Sequence, residues 1–172
     1  GNDRSVCGDN FHVALTGPGR SRVHGLVSEN NNGTYLVEYT GTIAGDYQVH
    51  VSLGPEEIVD SPFSLTILPS SSRATHSVAY GPALTSAIAG ERADFTIVAK
   101  DTYGNTEMAG ESDFSVICKG PGGISLAGAV QDNSDGTYAA EFIPTIAGKY
   151  SVSVLFKDPR YTQLKDIFGS PF

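Results

Sequence analysis

Hydrophobic and polar positions alternate with a period of two along most of the chain. Phe95, Ile97 and Ala99 form one face of such a segment, and Thr96, Val98 and Lys100 the other. The same pattern returns at Phe114, Val116 and Cys118 against Ser115, Ile117 and Lys119. It returns again at Tyr138, Ala140 and Phe142, at Tyr150, Val152 and Val154, and at Phe63, Leu65 and Ile67. Alternation of this kind predicts half-buried β-strands. Gly, Pro, Asn and Asp separate the segments and predict turns. No segment keeps the 3.6-residue period of an amphipathic helix for three turns. Strands every 10–15 residues, about seven per hundred, predict an all-β fold of immunoglobulin-like antiparallel sandwiches. In such a fold one face of each strand looks toward a partner sheet about 10 Å away.

The chain also repeats itself. Residues 1–53 laid without gaps on 104–156 match at 21 of 53 positions. Gly1-Asn2 falls on Gly104-Asn105, Phe11 and Val13 on Phe114 and Val116, and Gly17-Pro18-Gly19 on Gly120-Pro121-Gly122. Gly33-Thr34-Tyr35 falls on Gly136-Thr137-Tyr138, and Thr42-Ile43-Ala44-Gly45 on Thr145-Ile146-Ala147-Gly148. Ser61-Pro62-Phe63 then matches Ser170-Pro171-Phe172 after six extra residues in the second copy, between Leu155 and Gly169. A period near 100 residues is that of a domain rather than of a short solenoid repeat. The expected organisation is a first repeat over 1–68 lacking its first strands, a polar linker over 69–75, and a second repeat over 76–172 lacking its last strand. Both ends cut through a unit, so the segment reads as a window on a longer tandem array.

Composition narrows the function. The chain has 172 residues, 40% of them hydrophobic, and a formal net charge of −8. That balance argues against nucleic acid or anionic lipid as the main partner, since both reward clustered Lys and Arg. No stretch approaches 18 apolar residues, and no charged segment followed by an apolar one opens the chain. Two cysteines, Cys7 and Cys118, are too few for a disulfide-stapled scaffold or a thiolate zinc site.

The ordered motifs resemble one family. Lys100-Asp-Thr-Tyr-Gly-Asn105, Gly120-Pro121, Asp132-Asn-Ser-Asp-Gly-Thr-Tyr138, Pro144-Thr-Ile-Ala-Gly-Lys-Tyr150 and Gly169-Ser-Pro-Phe172 together look like the filamin-type immunoglobulin repeat. The first copy departs at turns: Gly41 replaces Pro144, Asn32 replaces Asp135 and Asp60 replaces Gly169. The resemblance implies a non-catalytic scaffold. Tandem copies would act as a spacer, with actin or membrane-protein linkage through regions outside this segment. It also implies that a partner peptide adds as a strand beside the third strand of the sandwich and packs toward the fourth.

By alignment the third strand is Phe11–Thr16 and Phe114–Lys119, and the fourth is Ser21–Val27 and Ile124–Val130. The outward candidates are His12, Ala14, Thr16, Arg22, His24 and Leu26 in the first copy. In the second they are Ser115, Ile117, Lys119, Ser125, Ala127 and Ala129. Ile117 beside Ala127 and Ala129 would form an apolar shelf for a partner side chain. Edge N–H and C=O groups would supply affinity, and outward side chains specificity.

Other chemistry finds little support in the residues. Asp132-Asn-Ser-Asp-Gly lacks the ligand alternation and terminal Glu of an EF-hand loop. His12, His24, His50 and His76 lack metal-ligand spacing, so neither metal nor cofactor is expected. Lys119-Gly-Pro-Gly-Gly123 lacks the Gly-Lys-Ser/Thr end of a phosphate-binding loop. Nothing resembles a nucleophile elbow, and no catalytic residue is expected. Cys118 is expected as an inert core thiol. Asn32-Gly-Thr34 is a formal glycosylation sequon at a surface turn. With few lysines and many Ser and Thr, it carries the alternative: an extracellular adhesion ectodomain, such as a gamete-attachment protein, rather than a cytoskeletal scaffold.

Overall fold

The computed structural model describes residues 8–108, 110, 112–158 and 163–172. It divides into two compact units, Gly1–Leu68 and Pro69–Phe172.

In the first unit, β1 (Phe11–Thr16), β2 (Arg22–His24), β5 (Gly45–Leu53), β6 (Glu56–Glu57) and β7 (Phe63–Ile67) form one antiparallel sheet. The hairpin of β3 (Leu26–Glu29) and β4 (Tyr35–Glu38) forms the other. Val13, Leu15 and Tyr47 are buried, and half-buried Val27 and Val37 close over them from the hairpin.

The second unit is more complete. It contains β8 (Val78–Tyr80), β9 (Ala93–Val98), β10 (Asp113–Lys119), β11 (Ser125–Asp132), β12 (Thr137–Phe142), β13 (Ser151–Lys157) and β14 (Leu164–Asp166). The pairing order is β14-β13-β10-β11-β12-β9-β8, antiparallel throughout. Its core is deeper because β9 and β8 extend the β12 sheet. Phe95, Ile97, Tyr138 and Ala140 face Phe114, Val116, Cys118, Val152 and Val154. In β10 the inward set predicted from alternation is the buried one: Phe114, Val116 and Cys118 are buried, whereas Ser115 and Ile117 are half-buried. Elsewhere the parity is looser: Phe63 is exposed at the edge of the first unit, and Val98 is buried although it alternates with Ile97.

The two units reuse the same fastenings. Phe11 packs on Tyr35 with ring centroids 4.7 Å apart, and Phe114 on Tyr138 at 4.9 Å. The Tyr35 hydroxyl accepts the Asp9 N–H at 3.1 Å, and the Tyr138 hydroxyl the Ser112 N–H at 3.0 Å. The Tyr47 hydroxyl donates to the Ile43 carbonyl at 2.9 Å, and the Tyr150 hydroxyl to the Ile146 carbonyl at 3.0 Å. Ser61 and Ser170 each accept a strand amide, from Val51 at 3.0 Å and Val154 at 2.9 Å. Pro62 and Pro171, which follow these serines, are cis in both copies. Gly136 closes the turn before β12 at φ 82°, and a Cβ there would collide with the Glu107 carbonyl. That double requirement explains glycine at this position.

The polar stretch expected as a linker is tied down instead. The Ser70 N–H donates to the Asp101 carboxylate at 3.0 Å, the Arg73 N–H to the Lys100 carbonyl at 2.7 Å, and Ser72 and Ala74 are buried. The cause is Asp101, which has no exposed surface. Its carboxylate also accepts the Tyr103 N–H at 2.8 Å, the Asn105 N–H at 2.9 Å and the Asn105 side-chain amide at 2.8 Å. Burial pushes its pKa up, but the bonds from Asn105, Ser70 and Tyr103 outweigh burial and hold it below its ordinary value.

Two outcomes follow. Val116→Ala should cost about 1–3 kcal/mol of unfolding free energy in urea titration, as a core truncation. Asp101→Ala should cost at least about 2 kcal/mol at pH 7, because buried donors lose their acceptor. With the folded pKa depressed, the Asp101 contribution is complete above the ordinary aspartate range. It fades as pH falls through that range toward the folded pKa. The gap between wild type and Asp101→Ala should therefore narrow between pH 5 and pH 3.

Candidate functional site: the third-strand edges

β1 and β10 occupy equivalent places. Each has a long partner on one side, β5 or β13, and an incomplete one on the other. On the incomplete side β2 pairs only with Ala14–Thr16, and β11 only with Val116–Lys119. Beyond those points the fourth strand leaves. In the second unit β11 crosses to the opposite sheet and pairs with β12 over Ala129–Asp132. In the first it breaks at Gly25 and continues as β3 on β4. Glycine permits the crossing: a Cβ on Gly25 would meet Val13 and Val37, and one on Gly128 would meet Val116 and the Glu141 carbonyl. Residues 11–12 and 113–115 thus have no paired strand on that side among the described residues, while Val13 still accepts the Gly25 N–H at 2.9 Å.

The structure brings together some candidates and separates others. Ile117 lies directly opposite Ala127 on β11 and opposite Ser153 on β13. Ala127 is exposed and Ile117 half-buried, so the two are cross-strand neighbours with Ala127 open to solvent. Ala129 does not belong to it. It lies past the crossing, in register with Glu141 of the other sheet. Lys119 is exposed and already paired with Ser125, so its edge is taken. Ser115 lies at the vacant stretch, and its buried hydroxyl has no hydrogen-bond partner among the described residues.

In the first unit Ala14 sits opposite His24 on β2 and His50 on β5, and Thr16 opposite Arg22 and Gln48. His12 precedes Ala14 by two residues on the same face. Phe11, His12, Ala14, His24, Gly25 and His50 line a shallow groove of about 550 Å³. Three of the four histidines share one sheet face, although 38 positions of sequence separate His12 from His50. Sequence spacing conceals this, and only strand register shows it. The described residues hold no group of three His, Cys, Asp or Glu side chains placed to bind a metal ion.

Cys118 is buried and unbonded, and burial pushes its thiol pKa up to about 11, which suits an inert core position. Cys7 lies outside the described residues, as does part of the 157–165 loop. No helix is long and apolar enough to cross a membrane among the described residues. Asn32 is exposed, and its side-chain oxygen accepts the Thr34 N–H at 3.1 Å and the Thr34 hydroxyl at 2.6 Å. Asp135 makes the same pair of bonds to Thr137, at 2.9 and 2.5 Å. These bonds from the Thr137 hydroxyl and N–H lower the Asp135 pKa.

A family model described as Filamin/ABP280 repeat matches residues 1–64 and 71–172. Filamin-A of Drosophila melanogaster is 32% identical over 147 residues, covering 86% of this chain and 6% of its own length. The chain therefore spans a small fraction of that relative. Among solved structures, the Lin-41 filamin domain aligns with a TM-score of 0.50 at 20% identity, over 60% of this chain and 93% of its own. The Escherichia coli adhesin FdeC aligns with a TM-score of 0.59 at 23% identity, over 94% of this chain and 52% of its own. These two likenesses establish the immunoglobulin-like sandwich fold.

If Asn32 serves the turn, Asn32→Asp should leave the urea midpoint nearly unchanged, because aspartate already does this at position 135. Asn32→Ala should lower stability by about 1 kcal/mol, the usual cost of losing such side-chain-to-backbone bonds.

Proposed function

The chain belongs to the Filamin/ABP280 repeat family, and we propose that it is part of a rod of such repeats that spaces and docks partner proteins. The family supports a non-catalytic protein-interaction module. The finer reading is that a partner segment adds as a β-strand at the third-strand edge. One observation carries it. In both units the fourth strand leaves the third part-way, at Gly25 and at Gly128. An edge strand with unoccupied length is a template for another chain, and strand addition is a recurrent mode of peptide recognition. Residues 11–12 and 113–115 would supply main-chain bonds. Ile117 and Ala127 would give the second unit an apolar seat beside them.

Linkage to actin or to membrane proteins would run through regions outside this segment. The adhesion reading rests on the Asn32 sequon together with few lysines and many Ser and Thr, and the turn bonds of Asn32 account for that residue without a glycan.

The test is peptide selection on the whole chain by display, followed by mapping of the selected peptides through backbone amide shifts. Shifts should concentrate on Asp113–Lys119 or Phe11–Thr16. For peptides mapping to the second unit, Ile117→Glu should weaken binding at least tenfold while the thermal midpoint stays within a few degrees. Shifts confined to other strands, or full binding by Ile117→Glu, would overturn the assignment.

A further inference from the structure

The two third-strand faces differ in chemistry, and the difference bears on what the first can dock. Equivalent positions can be read across the repeat. His12 corresponds to Ser115, Ala14 to Ile117, Arg22 to Ser125, His24 to Ala127 and His50 to Ser153. The second face is thus apolar at Ile117 and Ala127 and carries one cation, Lys119 in place of Thr16, whereas the first gathers one arginine and three histidines within an otherwise acidic protein of net charge −8. We propose that the first unit's third-strand edge docks an extended acidic segment, and that acidification strengthens the docking through His12 and His24. This rests on the strand-addition reading above and gives that site a partner chemistry.

The charges facing the groove decide which histidines matter. On β5, the His50 ring lies 2.8 Å from the Glu57 carboxylate of β6 and 3.5 Å from the Thr16 hydroxyl. Protonated His50 is therefore neutralised locally by Glu57, whose own pKa the His50 bond lowers. Asp46, at the far end of β5, accepts the Thr66 hydroxyl of β7 at 2.6 Å. β7 otherwise presents Ser64 and Thr66 on this side, opposite Gln48 and Asp46. On β2, Arg22 and His24 are exposed, and His12 is exposed on β1. Neither the His12 nor the His24 ring has a hydrogen-bond partner among the described residues.

His12 lies diagonal to His24 across the β1–β2 edge, and diagonal neighbours in an antiparallel pair stand about 7–8 Å apart. His12 lies within, and His24 beside, the 11–12 stretch beyond the last fourth-strand bond, from the Gly25 N–H to the Val13 carbonyl. A strand added there would place alternate side chains beside them. Histidine is the side chain whose ordinary titration falls between pH 5 and 8. Glutamate, with an ordinary pKa of about 4.3, stays ionised across most of that range. Lowering pH from 7.8 to 5.8 thus adds positive charge to the groove while an acidic partner keeps its negative charge. Attraction between such exposed groups is screened by salt.

The experiment uses the whole chain and two seven-residue peptides, one alternating glutamate with valine and one alternating glutamine with valine. Affinity is read by fluorescence anisotropy and location by amide shifts. The glutamate peptide should bind about tenfold more tightly at pH 5.8 than at pH 7.8, shift the amides of Phe11–Ala14, and weaken in 0.5 M salt. The variant carrying His12→Gln and His24→Gln should reduce the pH effect to below twofold with an unchanged thermal midpoint, and His76→Gln should leave it intact. If the double variant loses thermal stability, His12→Gln and His24→Gln tested singly should each remove part of the pH effect. Equal affinity for both peptides, or a pH effect that survives every His12 and His24 variant, overturns the histidine inference but leaves strand docking standing. Failure of both peptides to shift the Phe11–Ala14 amides at either pH overturns docking at this edge as well.

Discussion

One aromatic pair per unit holds the third strand against the opposite sheet. Phe11 opens β1 and Phe114 is the second residue of β10, while Tyr35 opens β4 and Tyr138 is the second residue of β12, the strand that follows the tight turn. The ring contact joins the two layers, and the tyrosine hydroxyl also fixes the backbone just before the third strand. Tilted or edge-to-face pairs of this kind add about 0.5–1.5 kcal/mol beyond their buried area. Their larger effect is positional. With the strand's entry pinned, its inward residues enter the core in register and its outward residues face solvent at the same place in both units.

That constraint explains why so much was legible. Alternation marks Phe114, Val116 and Cys118 as inward because one face of a pinned strand must be dry, and they are buried. The repeat marks Gly33-Thr34-Tyr35 and Gly136-Thr137-Tyr138 as equivalent because the turn and the pin need the same atoms. What was not legible depends on register between distant strands. Ala129 has the right parity for the outer shelf but lies beyond the point where its strand changes sheet. The match of Gly25 with Gly128 was the one local sign of that crossing. His50 joined the groove only once β5 was placed beside β1. The polar stretch after Leu68 has a linker's composition, yet Asp101, far along the chain, captures it through the Ser70 amide.

The same framework carries two different surfaces. The inward residues of β1 and β10 are near-equivalents, Val13 with Val116 and Leu15 with Cys118, because the core tolerates little else. The outward residues are free to diverge, and they have: Ala14 between two histidines in one copy, Ile117 between Ala127 and Ser153 in the other. The near-equivalent inward sets and the divergent outward ones are thus separated strand by strand within each unit.

Nuclear Overhauser spectroscopy on the whole chain in solution tests the duplicated, pinned sandwich most directly. The account predicts ring-to-ring effects between Phe11 and Tyr35 and between Phe114 and Tyr138, together with cross-strand effects from Leu15 to Val23 and from Cys118 to Leu126. Finding one unit's aromatic and cross-strand set without the other's, or a third strand paired along its whole length with the fourth, would contradict it.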